Sequence, residues 1–92
     1  MSVKLDVSFL QLDYQKDENS YDALSYFEEE GNLPFNSNSD LEMVMMMQRI
    51  GEEMGLDEYS FKKLEIFLRT ELPFFAVTRR LVLQWVTKNF LY

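Results

Sequence analysis

Cysteine and histidine are both absent from this sequence of 92 residues. Their absence removes the most common general base, the thiol nucleophile and the usual ligands of a zinc site. Without cysteine the chain forms no disulfide, and we expect it to fold in a reducing compartment. Glycine is scarce as well, and the spacing of Gly31, Gly51 and Gly55 matches neither a phosphate-binding loop nor a dinucleotide-binding motif.

The carboxylates and serines do not follow the pattern of a catalytic or metal site. Asp13, Asp17 and Glu18 lack the glycine and the ligand spacing of a calcium-binding loop. Residues 28–30 are consecutive glutamates, which diverge by about 100° each on a helix and therefore do not converge on one ion. No serine lies in a recognisable activating motif. We expect no enzymatic activity, no cofactor and no metal ion.

A long apolar segment is also absent. The longest uncharged run in the C-terminal part is far shorter than the ~20 residues that span a bilayer. The first residues alternate with charges and lack the apolar segment of a signal peptide. We expect no membrane association, and a location in the cytoplasm of a cell or of an infected host.

Apolar residues are nevertheless plentiful, since the hydrophobic fraction is 47% and the aromatic fraction is 15%. They suffice for the core of one small domain, which we expect to span residues 1–92. Near the N-terminus apolar and polar side chains alternate, and the phase of this alternation changes between Phe9 and Leu10. The pattern predicts a β-strand or a bent hairpin. Its candidate partners within the chain are short segments at residues 33–35 and 89–92.

Capping residues predict two helices in the middle of the chain. Ser20 is suited to cap a short helix at residues 21–30. Ser39 begins a capping box for a longer helix at residues 40–54, and Gly55 is suited to end it.

A third helix is predicted to begin at Asp57 or Ser60 and to extend to Glu71. Its apolar residues are expected to face inward, and its charged residues, Glu65 among them, are expected to face solvent.

The last predicted helix, at residues 73–92, is the most apolar segment and carries three charges, all positive. Its apolar residues fall on two neighbouring faces, Phe74, Val77, Leu81 and Trp85 on one and Phe75, Val82 and Val86 on the other. We predict that this helix begins near Pro73 and is central to the fold. Arg79 and Arg80 are expected to extend along the core toward solvent or an acidic neighbour. The predicted fold class is α+β, predominantly α, with three to four helices.

Four methionines lie within residues 43–47. Methionine is flexible and fills irregular gaps, so we favour a role in the core. The same flexibility suits an adaptable binding surface, and this alternative stays open.

Charge is distributed unevenly along the chain. Residues 1–58 contain 14 acidic and 3 basic side chains, a balance of −11, and residues 59–92 contain 2 acidic and 6 basic, a balance of +4, which gives the net charge of −7. Nine carboxylates lie between positions 13 and 42, and we predict that they contact a partner: Asp13, Asp17, Glu18, Asp22, Glu28, Glu29, Glu30, Asp40 and Glu42. The alternative is a solvated surface that maintains solubility. Direct binding to DNA or RNA is disfavoured, because a phosphate backbone requires a basic footprint.

These observations favour a non-catalytic protein-binding module. We expect a small acidic inhibitor or adaptor that occupies a basic, nucleic-acid-binding surface of a partner protein. A phage-type inhibitor of a host nucleic-acid machine, such as an anti-CRISPR or DNA-mimic protein, is one concrete form. The alternative is a structural or assembly subunit that forms homodimers or larger homo-oligomers through the methionine-rich and C-terminal helices.

Overall fold

A computed structural model describes residues 5–90 of the chain. In chain order it contains one short 3₁₀ helix, Val7–Phe9, and four α-helices: α1 (Ala23–Glu28), α2 (Asp40–Met54), α3 (Glu58–Thr70) and α4 (Arg79–Asn89). Extended segments pair, within the described residues, as two isolated bridges, Gln15 with Ser39 in parallel and Pro34 with Thr78 in antiparallel orientation. The expectation of a predominantly helical protein is confirmed.

The predicted N-terminal strand is not found among the described residues. Val7–Phe9 forms a 3₁₀ helix whose N-cap is Asp6, and the Asp6 carboxylate accepts a hydrogen bond from the backbone N–H of Ser8 at 2.9 Å. An aspartate that binds its own backbone two residues on competes directly with a strand ladder, and residues 5–90 contain no second strand that would favour the ladder. The part of the prediction that concerns residues 1–4 lies outside the described residues, as does the tail at residues 91–92.

The helix α2 agrees with its prediction at both ends. The backbone N–H of Glu42 donates to Ser39 Oγ at 3.2 Å, which caps the N-terminus. Gly55 ends the helix in the left-handed region, with φ of 68°, where a residue with a Cβ would be strained. For α3, Asp57 rather than Ser60 is the cap, because its carboxylate accepts the Ser60 N–H at 2.8 Å.

The helix α1 is shorter than predicted. Its N-cap is Asp22, whose carboxylate accepts the Ser25 N–H at 3.0 Å, and not Ser20. The helix ends at Glu28, two residues before the predicted end at residue 30.

The helix α4 begins six residues later than predicted, at Arg79 instead of Pro73. Thr78 caps it by accepting the Leu81 N–H at 3.2 Å. The segment before it pairs with the loop at residues 33–35 through two backbone hydrogen bonds, from Phe35 N to Val77 O at 2.9 Å and from Arg79 N to Leu33 O at 3.0 Å. This pairing between distant parts of the chain prevents residues 73–78 from joining the helix.

The helix α2, and not the C-terminal helix, is central to the fold, because it packs against α3, α4 and the 3₁₀ helix. Its core-facing side chains have no solvent exposure: Met43, Met46, Met47 and Ile50. The prediction of a core role is therefore confirmed for these three methionines. In α4, Val82 and Val86 are buried. Leu81 in the same helix and Val77 just before it, which formed one apolar face of the predicted helix, are exposed.

Gly51 allows α2 and α3 to approach closely. A Cβ at this position would overlap the ring of Phe61, which occupies the space beside the glycine. Within residues 5–90, no helix combines the length and the apolar character of a membrane span.

Candidate functional site

Asp17 attaches residues 13–30, which we call the acidic segment, to the N-terminus of α2 through hydrogen bonds. Its carboxylate accepts hydrogen bonds from the Ser39 hydroxyl at 2.6 Å, from the Tyr21 hydroxyl at 2.7 Å, and from the backbone and side-chain amides of Asn19 at 2.9 and 2.8 Å. Its backbone N–H donates to Asp40 Oδ1 at 3.0 Å. The Ser39 hydroxyl is the largest cause that lowers the pKa of Asp17 from 3.8 to about 2, followed by the hydrogen bonds from Asn19 and Tyr21. This segment is therefore held in one conformation.

Glu42 is buried and binds groups from three other parts of the chain. Its Oε1 atom accepts the Tyr26 hydroxyl at 2.9 Å and the Asn36 backbone N–H at 3.4 Å, and it lies 3.5 Å from Arg79 Nε. The two charged side chains are only 8% and 7% exposed. Burial, followed by the charge of Glu42, raises the pKa of Tyr26 well above its usual range. Glu42 connects α2 to α4, and its carboxylate is not available to a large partner.

The Arg79 guanidinium lies inside the protein and does not reach solvent, which was one of its two expected positions. Its Cζ atom lies 3.9 Å from the centre of the Tyr26 ring. Its Nη1 atom donates to the Glu30 carbonyl at 3.5 Å, and its Nε atom has no hydrogen-bond partner in the described part of the chain. The prediction that this arginine extends to an acidic neighbour is confirmed, and that neighbour is Glu42.

An open polar cavity of about 300 Å³ lies between the Asp17 segment and the N-terminus of α2. Its walls consist of Gln15, Lys16, Asp17, Glu18, Asn19, Tyr21, Asn36, Ser39 and Glu42. Of the nine predicted partner-binding residues, the structure brings four together here, since Asp40 also binds the Asp17 backbone. No group of three or more acidic side chains within residues 5–90 is arranged to bind a metal ion.

The three consecutive glutamates, Glu28, Glu29 and Glu30, lie at the C-terminal end of α1, and all three are exposed. The backbone carbonyls at this end bind arginines of α4: Arg80 Nη2 donates to the Phe27 and Glu28 carbonyls at 3.4 and 3.1 Å. The arginines therefore neutralise the negative end of the helix dipole, and the glutamate side chains are exposed and form no ion pair with the rest of residues 5–90.

The remaining charges show how little of the acidic segment is compensated. The ion pairs within the described residues are Arg49 with Glu53 and Arg79 with Glu42. Arg69 donates to the Asp13 carbonyl at 3.1 Å and lies over the Tyr14 ring, so it does not contact a carboxylate of the acidic segment. Six predicted partner-binding residues are exposed and have no basic nitrogen of residues 5–90 within 4.0 Å, namely Asp13, Glu18, Asp22, Glu28, Glu29 and Glu30. We call these six residues the acidic surface.

Glu65 is a buried carboxylate whose role the sequence interpretation missed, because it was expected to face solvent. It has no solvent exposure and accepts hydrogen bonds from the backbone of Gln11 at 2.9 Å, the backbone of Leu12 at 3.0 Å and the Tyr14 hydroxyl at 2.8 Å. It therefore anchors the N-terminal segment in place of a partner strand. Glu65 lies four residues after the buried Phe61 and therefore on the inward face of α3. This spacing in the sequence could have predicted that Glu65 is buried.

A second exposed surface lies where α3 connects to α4, and we call it the apolar patch. It consists of Phe74, Phe75, Val77 and Leu81, which are 92%, 54%, 55% and 43% exposed. Beside it is a groove of about 190 Å³ whose walls include Phe75, Leu81 and Trp85. The sequence interpretation placed these residues in the core, because it extended the last helix back to Pro73.

Comparisons with known proteins give no further guidance, since no protein-family model, no curated protein and no solved structure matches this chain.

Proposed function

We propose that this protein is a non-catalytic binding module that uses the acidic surface to occupy a basic surface of a partner protein. The observation that supports this proposal most strongly is the set of six exposed carboxylates that form no ion pair within the described residues. The two arginines nearest to the glutamates bind other groups, since Arg79 pairs with the buried Glu42 and Arg80 donates to backbone carbonyls. The negative charge of the segment is therefore directed outward.

Charge presented in this way steers a basic partner and selects against acidic ones. The segment that bears it is pre-organised, because Asp17 and Asp40 attach it to α2 through short hydrogen bonds. Pre-organisation reduces the ordering cost of binding. In this proposal Asp17, Asp40 and Glu42 position the surface, and the six exposed residues contact the partner.

The partner class that suits such a surface is a protein whose basic groove binds nucleic acid. The phage-type inhibitors named above, including anti-CRISPR and DNA-mimic proteins, act in this general way and are the concrete form that we propose. The proposal includes a cytoplasmic location in a cell or an infected host, consistent with the cysteine-free composition. It includes neither catalysis nor a cofactor.

The test is affinity capture from a lysate of the host at low salt, with two matched variants. One variant carries Glu28→Gln, Glu29→Gln and Glu30→Gln, and the control carries Glu52→Gln, Glu58→Gln and Glu71→Gln, which are also exposed and change the net charge equally. We expect the first variant to lose a captured nucleic-acid-binding protein and the control to retain it. Equal loss in both variants would mean that total charge matters and that this surface does not.

A second candidate function, an assembly subunit, has a specific observation in its favour. The apolar patch is exposed, whereas the core-facing methionines of α2 are buried and not available for assembly. This function would depend on Phe74 and Phe75, and salt would not weaken the association.

A further inference from the structure

Phe74 is the most exposed large apolar side chain among the residues described, at 92%. It lies on a short turn, because the Ala76 N–H donates to the Pro73 carbonyl at 3.0 Å, and the following residues pair with the loop at 33–35. Its ring contacts Phe75 edge to face, with the ring centres 5.7 Å apart. An ordered turn therefore presents an aromatic ring to solvent, which is unfavourable unless another surface covers it.

The groove beside this ring has the chemistry to accept an aromatic side chain. Phe75, Leu81 and Trp85 form its apolar walls, and Gln84, Lys88 and Asn89 form its polar rim. Trp85 is fixed by stacking on Phe67, with the ring centres 5.5 Å apart and the planes inclined by 21°. A rigid aromatic wall and an apolar groove are typical of the pockets that receive an interface anchor.

We propose that the apolar patch is a homodimer interface in which Phe74 of each copy enters the groove of the other. The projecting ring and the groove are adjacent on one surface and share Phe75, so a two-fold axis beside them would satisfy both at once. Among the described residues that line the groove none is a carboxylate, and Lys88 is the one that is charged. The residues that line the groove therefore place no carboxylate against the second copy.

The area of the patch is consistent with a weak dimer. The four exposed side chains present on the order of 450 Å² per copy, which gives on the order of 900 Å² for two copies. Stable interfaces bury about 1,200 Å² or more, and weak or transient interfaces bury less. Each copy has a net charge of −7, so mutual repulsion weakens the dimer at low salt and added salt strengthens it. This response is opposite to that of the acidic surface, and the two proposals do not depend on each other.

The test combines sedimentation velocity with the fluorescence of Trp85, which is the only tryptophan in the chain. The protein is compared at concentrations of about 10 μM and about 1 mM, in low and in high salt. The higher concentration populates a dimer even when its Kd is close to 1 mM. We expect a dimer at high concentration, favoured by salt, and a blue shift of Trp85 emission as the Phe74 ring covers the groove.

The variant Phe74→Ser should weaken the dimer by a factor of about 30 or more, because it removes the anchoring side chain from both copies. The matched control is Leu24→Ser, which removes another exposed apolar side chain, 68% exposed, from a different surface. A wild-type protein that stays monomeric throughout, or a dimer that Phe74→Ser leaves intact, would overturn the proposal. Because Phe74 is almost fully exposed, its replacement leaves the core unchanged, and circular dichroism verifies this.

Discussion

The buried ion pair of Glu42 and Arg79 should dominate the response of this protein to single substitutions. In Glu42→Gln the guanidinium of Arg79 stays in the core without a counter-charge, because both side chains are less than a tenth exposed. Removing one partner of a buried pair costs about 3–5 kcal/mol. We expect a value near the lower end, about 3 kcal/mol, because the two charged atoms are 3.5 Å apart and Arg79 Nε makes no hydrogen bond. For a domain of this size that corresponds to a fall in Tm on the order of 15 °C.

The assay is urea denaturation of the wild type, Glu42→Gln, Arg79→Met and the double variant. We expect the double variant to cost at least about 1 kcal/mol less than the sum of the two single variants, because it leaves no unpaired buried charge. The control is Glu53→Gln, which breaks an exposed pair with Arg49 at 3.8 Å and should cost under about 0.5 kcal/mol. Additive single-variant costs, or equal costs of Glu42→Gln and Glu53→Gln, would refute this reasoning.

Three further substitutions test other parts of the structure. Gly51→Ala should destabilise the protein by about 1–3 kcal/mol, measured by urea denaturation, because its methyl group overlaps the Phe61 ring; no change would mean that α2 and α3 are farther apart. Asp17 has a pKa lowered to about 2, so it contributes stability above pH 3.8 that is lost as pH falls toward about 2. In Asp17→Asn the free energy of unfolding should depend less on pH between about 4 and about 2. An unchanged pH dependence in this range would contradict the lowered pKa of Asp17. Glu65→Ala should lower the free energy of unfolding by about 2–3 kcal/mol, because it removes the acceptor of buried hydrogen bonds. It should also lower the raised pKa of Tyr14, which is measured from ultraviolet absorbance at alkaline pH, and an unchanged Tyr14 titration would contradict the contact.

The boundaries that the sequence predicted correctly depend on local interactions. At α2, the Ser39 hydroxyl accepts the backbone N–H of Glu42 and Gly55 ends the helix, and both act within a few residues of the helix ends. The reciprocal half of the capping box does not form, because the Glu42 carboxylate binds Tyr26, Asn36 and Arg79 and the Ser39 N–H donates to the Asn36 carbonyl. The core role of the methionines was predicted from the flexibility of their side chains, and Met43, Met46 and Met47 are fully buried.

The errors arose where distant segments determine the local structure. The start of α4 depends on hydrogen bonds between residues 33–35 and the segment before Arg79, and no helical periodicity encodes that contact. The N-terminal alternation resembled a strand, but the backbone near Leu12 binds the buried Glu65 carboxylate instead of a neighbouring strand. A helix extended back to Pro73 therefore appeared apolar on two faces, and this concealed the exposed position of Phe74.

For the candidate site, the sequence identified the charges but not their different roles. It grouped nine carboxylates by sign and position alone. The fold separates them, because Glu42 is buried with Arg79, and Asp17 and Asp40 bind backbone and hydroxyl groups. The other six are exposed and form no ion pair within the described residues, and this depends on where the fold places the arginines.

The most direct test of the proposed function is a competition measurement with the protein captured from the host lysate. The affinity of this chain for that partner is measured by fluorescence polarisation across a salt series, with and without the nucleic acid that the partner binds. We expect the affinity to fall steadily with salt, and we expect chain and nucleic acid to exclude each other on the partner. An affinity that is independent of salt, or a ternary complex with nucleic acid, would contradict binding through the acidic surface to a nucleic-acid-binding groove.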